Sequence, residues 1–189
     1  MKKLRAIIGE TIFGSRVNWE VSRIVPFLPK KGTILDLGAG TGLFTKAFLR
    51  LGYRMEPVDI KNRSYYYTAP SHIYNGKNLP YQENQFAACI LFAVLHHTPD
   101  PRAVLAEAAR VSKRLVIYED IVTNVFQRFY TYVIDSVLNK EFIGHPHSNK
   151  TEAEWVELFR KFGLKIVKVE HSNSYLFMHN NLFFLEKTH

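Results

Sequence analysis

A single cysteine, Cys89, occurs in 189 residues, so no disulfide can form within the chain. Cys89 lies inside the apolar run "FAACILFAVL", which suits a buried, inert thiol better than a nucleophile. Also missing is any apolar run approaching the ~18 residues of a spanning helix. The opening stretch "MKKLRAIIGETIF" breaks its apolar character at Gly9 and Glu10 and has no signal-peptide core or cleavage site, so a cytoplasmic location is expected. Internal repeats and low-complexity linkers are absent too, which favours one domain over residues 1–189. Acidic residues are scarce, 17 against 25 basic, for a formal charge of +8. Residues 1–31 hold seven basic and two acidic groups and carry most of that excess. Such an arm would attract nucleic acid, anionic lipid or an acidic substrate, or would simply form a solubilising helix face.

What is present reads as alternating strands and helices. The spacing of Leu4, Ile7, Ile8 and Ile12 predicts an amphipathic helix, and a second covers Trp19 to Phe27 before "PFLPKKG" stops it. Then follow the strand "TILDLG", the helix "TGLFTKAFLRLG", the strands "YRMEPVDI", "SHIYN" and "FAACILFAV", the helix "DPRAVLAEAARVS" with Asp100 as N-cap, and the strand "RLVIYED". This alternation implies a parallel sheet covered on both faces. Beyond Asp120 a long aromatic helix, an irregular loop "KEFIGHPHSNK" and a helix "TEAEWVELFRKFG" with a Thr151/Glu154 capping box are expected. Two C-terminal strands joined by a turn at "HSNS" close the chain. The expected divisions are an N-terminal helical cap (1–31), a core (32–120), a helical insertion (121–163) and C-terminal strands (164–189).

The stretch "ILDLGAGTGLF" carries the chemistry. Dinucleotide folds need G-x-G-x-x-G, but after Gly38 and Gly40 the third glycine is Gly42, and the required position is Leu43. A P-loop needs Gly-Lys-Ser/Thr where the chain has Leu43-Phe44-Thr45. What remains is D-x-G-x-G-x-G, which lets the backbone pass close to a ligand bearing an amine and a carboxylate, with Asp36 able to hold positive charge.

These residues resemble the first motif of the class I S-adenosylmethionine-dependent methyltransferases, over roughly Gly32 to Asp120. The segment "YNGKNLPYQENQFAACILFAVLHHTPDP" is similar to the type 11 subgroup, whose members methylate quinone precursors and other small molecules. The resemblance implies a Rossmann-like α/β fold: a mostly parallel sheet with an antiparallel C-terminal hairpin strand and helices on both faces. It implies S-adenosyl-L-methionine as cofactor, leaving as S-adenosyl-L-homocysteine. It also implies that Asp59, 21 positions after Gly38, holds both ribose hydroxyls, that Asn75 and Gly76 lie against the adenine, and that Phe92 and Ala93 line the methionine end. Asp36, Gly38, Ala39, Gly40, Gly42 and Ile60 complete the expected cofactor set. Three departures stand out: Asn75 replaces the usual Asp, its carbonyl oxygen still able to accept from the adenine amine; Ala87 replaces a common Asp; and the Gly-Gly turn is missing from "VSKRLVI".

Methyl transfer from a sulfonium is an in-line displacement, so the protein positions the acceptor and, for a hydroxyl or acidic carbon, takes a proton. Candidates for acid–base or acceptor contact are His96, His97, Glu119, His145 and His147. The resemblance to the subgroup, where similar His pairs often hold the loop, implies such a role for His96 and His97 as an alternative, and Glu119 and Asp120 would also cap a following helix. His145 and His147 are too few ligands for a zinc site, so no metal is expected. Phe126, Phe129, Tyr130, Tyr132 and Trp155 fit either an apolar acceptor pocket or core packing. The expected activity is methylation of a small molecule at O, N or C, with an apolar or aromatic acceptor as partner. An RNA methyltransferase is the alternative enzyme, though no Asn/Asp-Pro-Pro-Tyr/Phe motif and no RNA-binding module is seen. A non-catalytic cofactor-binding scaffold is the third reading. No oligomeric state is encoded legibly.

Overall fold

The computed structural model describes residues 14–62, 72–123, 149–174 and 178–188. The helix expected over Leu4 to Ile12 lies outside them. Residues 14–24 form α1, which starts ahead of the expected Trp19 because Val17, Val21 and Ile24 make its buried stripe. Trp19 itself is exposed, with the Arg23 guanidinium 4.5 Å above its ring. A 3-10 turn at Val25–Phe27, containing Pro26, ends the segment.

Seven strands follow: β1 (Thr33–Leu37), β2 (Arg54–Asp59), β3 (His72–Ile73), β4 (Ala88–Phe92), β5 (Arg114–Ile121), β6 (Leu164–Ser174) and β7 (Met178–Lys187). Helices α2 (Leu43–Arg50), α3 (Pro101–Val111) and α4 (Glu152–Lys161) lie between them. The sheet order is β3-β2-β1-β4-β5-β7-β6. β1 runs parallel to β2 and β4, and β2 parallel to β3, while β7 is antiparallel to both β5 and β6. This is the expected mostly parallel Rossmann-like sheet with an antiparallel C-terminal strand. Ile34–Leu37 and Leu115–Ile121 are buried at every position, as strands covered on both faces must be.

By compactness the chain forms two units, Met1–Ile90 with Arg110–Lys113, and Leu91–Ala109 with Arg114–His189. In the first, Gly32 has φ +99°, and a Cβ there would sit 2.7 Å from the Ala87 Cβ. Backbone conformation and close approach both demand glycine at that position. Arg110 donates to the carbonyls of Leu79 (3.0 Å) and Tyr81 (2.8 Å), tying down the segment that follows β3.

In the second unit, the Asp100 carboxylate accepts from the N–H groups of Arg102 and Ala103, and Thr151 and Glu154 form the expected reciprocal cap of α4. Trp155 is fully buried and stacks on Phe159, which packs edge-on against Phe183 5.1 Å away. Its role is therefore core packing. The "HSNS" segment is not a turn: β6 continues through it, pairing His171 with Asn181 and Ser174 with Met178. A sustained ladder with β7 satisfies the backbone of residues that would favour turns in isolation. β6 is an edge strand, guarded by exposed Lys165 and Lys168 and by a bulge between Ile166 and Lys168. No helix among the described residues is long and apolar enough to cross a membrane.

Candidate active site

At the carboxyl end of β1 the chain reverses through Gly38, Gly40 and Gly42, with φ of +81°, +52° and +78°. The N–H groups of Gly38 and Ala39 both donate to the Val58 carbonyl (2.7 and 3.1 Å), locking the turn onto β2. Gly42 is the left-handed N-cap of α2, with no side chain accepting from the first helical turn. The N–H of Gly40 donates to Asp59 Oδ2 at 2.7 Å, and that of Lys61 donates to Oδ1 at 3.1 Å. Both carboxylate oxygens are thereby aimed, and each keeps lone pairs for a further donor. Among the described residues, a Cβ built on Gly40 would meet nothing nearer than the Gly38 carbonyl at 3.9 Å. Packing against the described residues therefore does not require glycine at 40. The open space lies beside an oriented carboxylate, which fits a ligand carrying a vicinal diol.

Asp36 sits behind this turn. Its side chain is 2% exposed and accepts from the Thr45 hydroxyl on α2. Burial pushes its carboxyl from 3.8 up to about 6, opposed by the Thr45 hydrogen bond and reinforced by the negative Asp59. Within the chain it fixes α2 against the end of β1, behind the turn where the sequence expectation has it hold a ligand's positive charge. Thr45 was not singled out in the sequence, since a hydroxyl in the first turn of a helix ordinarily reads as a local cap.

Asn75 Oδ1 accepts from the N–H groups of both Lys77 and Asn78 at 2.9 Å. Because both partners are donors, the amide orientation is fixed. The carbonyl oxygen is engaged in its own turn, and the side chain presents its Nδ2 donors instead. Ile60 is 52% exposed beside Asp59, and a Cβ on Gly76 (φ +75°) would lie 3.5 Å from its Cγ2. Asp59, Ile60, Asn75 and Gly76 thus share one edge of the first unit, where the Tyr74 N–H also donates to the Asp59 carbonyl at 3.1 Å.

In the second unit, Phe92 stacks on Tyr118 with centroids 4.2 Å apart, and the Ala93 N–H donates to the Tyr118 carbonyl at 2.8 Å. Ala93 has φ +55°, a left-handed conformation unusual for alanine, at the end of β4. The chain then enters a 3-10 turn, Leu95–His97. Glu119 Oε1 accepts from the N–H groups of Val94 (3.1 Å) and Leu95 (2.7 Å), and Oε2 is bonded to His96 Nδ1. His96 and Glu119 are 1% and 0% exposed. His96 Nε2 lies 4.0 Å from Asp120 Oδ2, and Asp120 Oδ1 accepts from Asn180 Nδ2. The His97 ring is tilted against that of His96 at 4.0 Å. His145, His147, Phe126, Phe129, Tyr130 and Tyr132 lie outside the described residues. The sequence reading missed Asn180 and Asn181. Its one signal was two adjacent amides opening the otherwise apolar "NNLFFL", where a buried strand requires partners for them.

A family model described as a methyltransferase domain matches residues 15–169. The chain belongs to this methyltransferase family. A ubiquinone biosynthesis O-methyltransferase of Thiobacillus denitrificans is 28% identical over 110 residues, 52% of this chain and 46% of the relative. The chain therefore matches less than half the length of that relative. An uncharacterised protein of Methanocaldococcus jannaschii is 26% identical over 173 residues, 85% of this methyltransferase and 75% of its own length. Among solved structures, a methyltransferase fold from Bacillus halodurans superposes with a TM-score of 0.72 at 14% identity, covering 91% of this chain and 99% of that one.

Proposed function

We propose that this methyltransferase acts on a small molecule, transferring the methyl group to an oxygen, nitrogen or carbon nucleophile. The observation that supports its cofactor site is the space beside Gly40 near an Asp59 carboxylate already aligned by two main-chain N–H groups. Asp59 would hold the ribose hydroxyls, and Gly38, Ala39, Gly40 and Gly42 would pass close to the methionyl portion. Ile60 and Gly76 would flank the adenine, and Asn75 would donate to a ring nitrogen through Nδ2. Phe92 and Ala93 would line the methionine end. When bound, S-adenosylmethionine supplies a methyl activated on a sulfonium sulfur. The chain's part is to hold donor and acceptor in line and exclude water. His97 is the histidine proposed to face the acceptor, while His96 and Glu119, buried against each other, are assigned to the wall of the site. The similarity to a ubiquinone O-methyltransferase supports a small acceptor.

Calorimetry with S-adenosylmethionine and S-adenosylhomocysteine, followed by a screen of phenolic, amine and carbon acids, tests this reading. Saturable binding of both ligands with methylation of one such class is expected. Absence of binding at millimolar ligand would refute the cofactor site. The formal charge of +8 favours a second reading, RNA methylation. Retention on RNA that falls steeply with salt, together with transfer to RNA alone, would establish it over the first.

A further inference from the structure

We infer that His96 is held as an imidazolium between Glu119 and Asp120, and that its charge positions the turn from Ala93 to Leu95 that ends β4. Glu119 is fully buried, and its two oxygens meet only main-chain N–H groups and the His96 ring among the described residues. A carboxylate removed from water is costly unless it is hydrogen-bonded and paired with positive charge. The main-chain donors supply dipoles, and His96 is the side chain that supplies the charge. Its second nitrogen points toward another carboxylate, Asp120 Oδ2 at 4.0 Å, whose other oxygen is held by Asn180. Carboxylates at both ring nitrogens make the doubly protonated ring the matching form. The His97 ring lies tilted against His96 at 4.0 Å and is a further titratable group facing it.

The consequence runs through the backbone. The Glu119 carboxylate that meets His96 through Oε2 accepts through its other oxygen, Oε1, from Val94 and Leu95, directly after the strained Ala93. Without the imidazolium, Glu119 and Asp120 are left as buried carboxylates near a neutral ring. The grip on Val94 and Leu95 then has to loosen, or the pair has to take up a proton. His96 is in this sense a positioning residue for the Phe92–Ala93 wall, a consequence that rests on the cofactor site proposed above. Its charge state does not.

The test separates the two. Long-range nitrogen–proton NMR on the full chain should show both His96 ring nitrogens protonated from about pH 6 to about pH 8, and Glu119→Gln should convert the ring to a neutral tautomer at the same pH. A neutral wild-type ring at about pH 7 would overturn the inference, whatever the ligand experiments give. In calorimetry, His96→Gln should weaken S-adenosylhomocysteine binding by roughly tenfold or more, equivalent to about 1.4 kcal/mol. A charged ring with unchanged affinity in His96→Gln would remove the positioning role. A charged ring in a wild-type chain that binds no S-adenosylhomocysteine would instead count against the cofactor site.

Discussion

Replacing Asp36 by asparagine removes a charge while keeping the shape and an acceptor for the Thr45 hydroxyl. The wild-type carboxyl is raised from 3.8 to about 6, first by burial and then by Asp59, with Thr45 pulling the other way. An acid whose folded-state value lies above its unfolded value binds its proton more tightly when folded. Stability from this group is therefore fully present below about pH 4, declines as the pH rises toward about 6, and stays reduced above. The rise from 3.8 to about 6 corresponds to about 3 kcal/mol. Asp36→Asn should therefore be more stable than wild type by up to about 3 kcal/mol at pH 7.5, and no more stable at about pH 4, where Asp36 is itself protonated. Urea unfolding of both proteins at the two pH values measures the difference directly, because contributions common to both cancel. A variant less stable than wild type at pH 7.5, or an equal gain at both pH values, would refute the reasoning. The same variant should bind S-adenosylmethionine more weakly, since the turn loses a negative charge behind the methionyl site.

Asp59→Asn should lower S-adenosylhomocysteine affinity by roughly 10- to 100-fold in calorimetry, because hydrogen bonds to a charged group are worth about 1.5–3 kcal/mol; unchanged affinity would dismiss the diol contact. Gly40→Ala should cost only about 1–2 kcal/mol of stability, the strain of φ +52°. It should still abolish cofactor binding, and a variant that binds normally would show that the open space is not the ligand's path. Cys89, fully buried and with its thiol pushed up mainly by burial, should resist Ellman's reagent in native buffer and react fully in denaturant. Rapid native labelling would contradict its place in the core.

Much of the first unit was legible because its signals are local. "TILDLGAGTG" encodes a buried strand and a bare turn, and φ is positive at all three of its glycines. Thr151 and Glu154 announced their capping box by spacing alone. Partnerships across distant segments were not legible. The use of Asn75 Oδ1 by its own turn depends on backbone geometry, and no pattern reveals that Glu119 reaches the N–H groups of Val94 and Leu95, more than twenty residues earlier. "HSNS" misled for a related reason: turn propensity is a weak preference, and eleven residues of β6 paired with β7 override it.

The costly features of this chain gather at the carboxyl ends of strands. Asp36, desolvated, is near the end of β1; Ala93, in a left-handed conformation, follows β4; Glu119 and Asp120, both buried, close β5. Elsewhere local preference and packing agree: Trp155, Phe159 and Phe183 fill a core, and α3 and α4 begin at side-chain caps. A sequence selected for stability alone would place a neutral group at 36 and glycine at 93, and an apolar pair at 96 and 119. Ends of parallel strands are where open α/β sheets bind ligands. Strain and buried charge concentrated there are what a binding function leaves behind, and the gain in stability expected of Asp36→Asn is the measurable form of that argument.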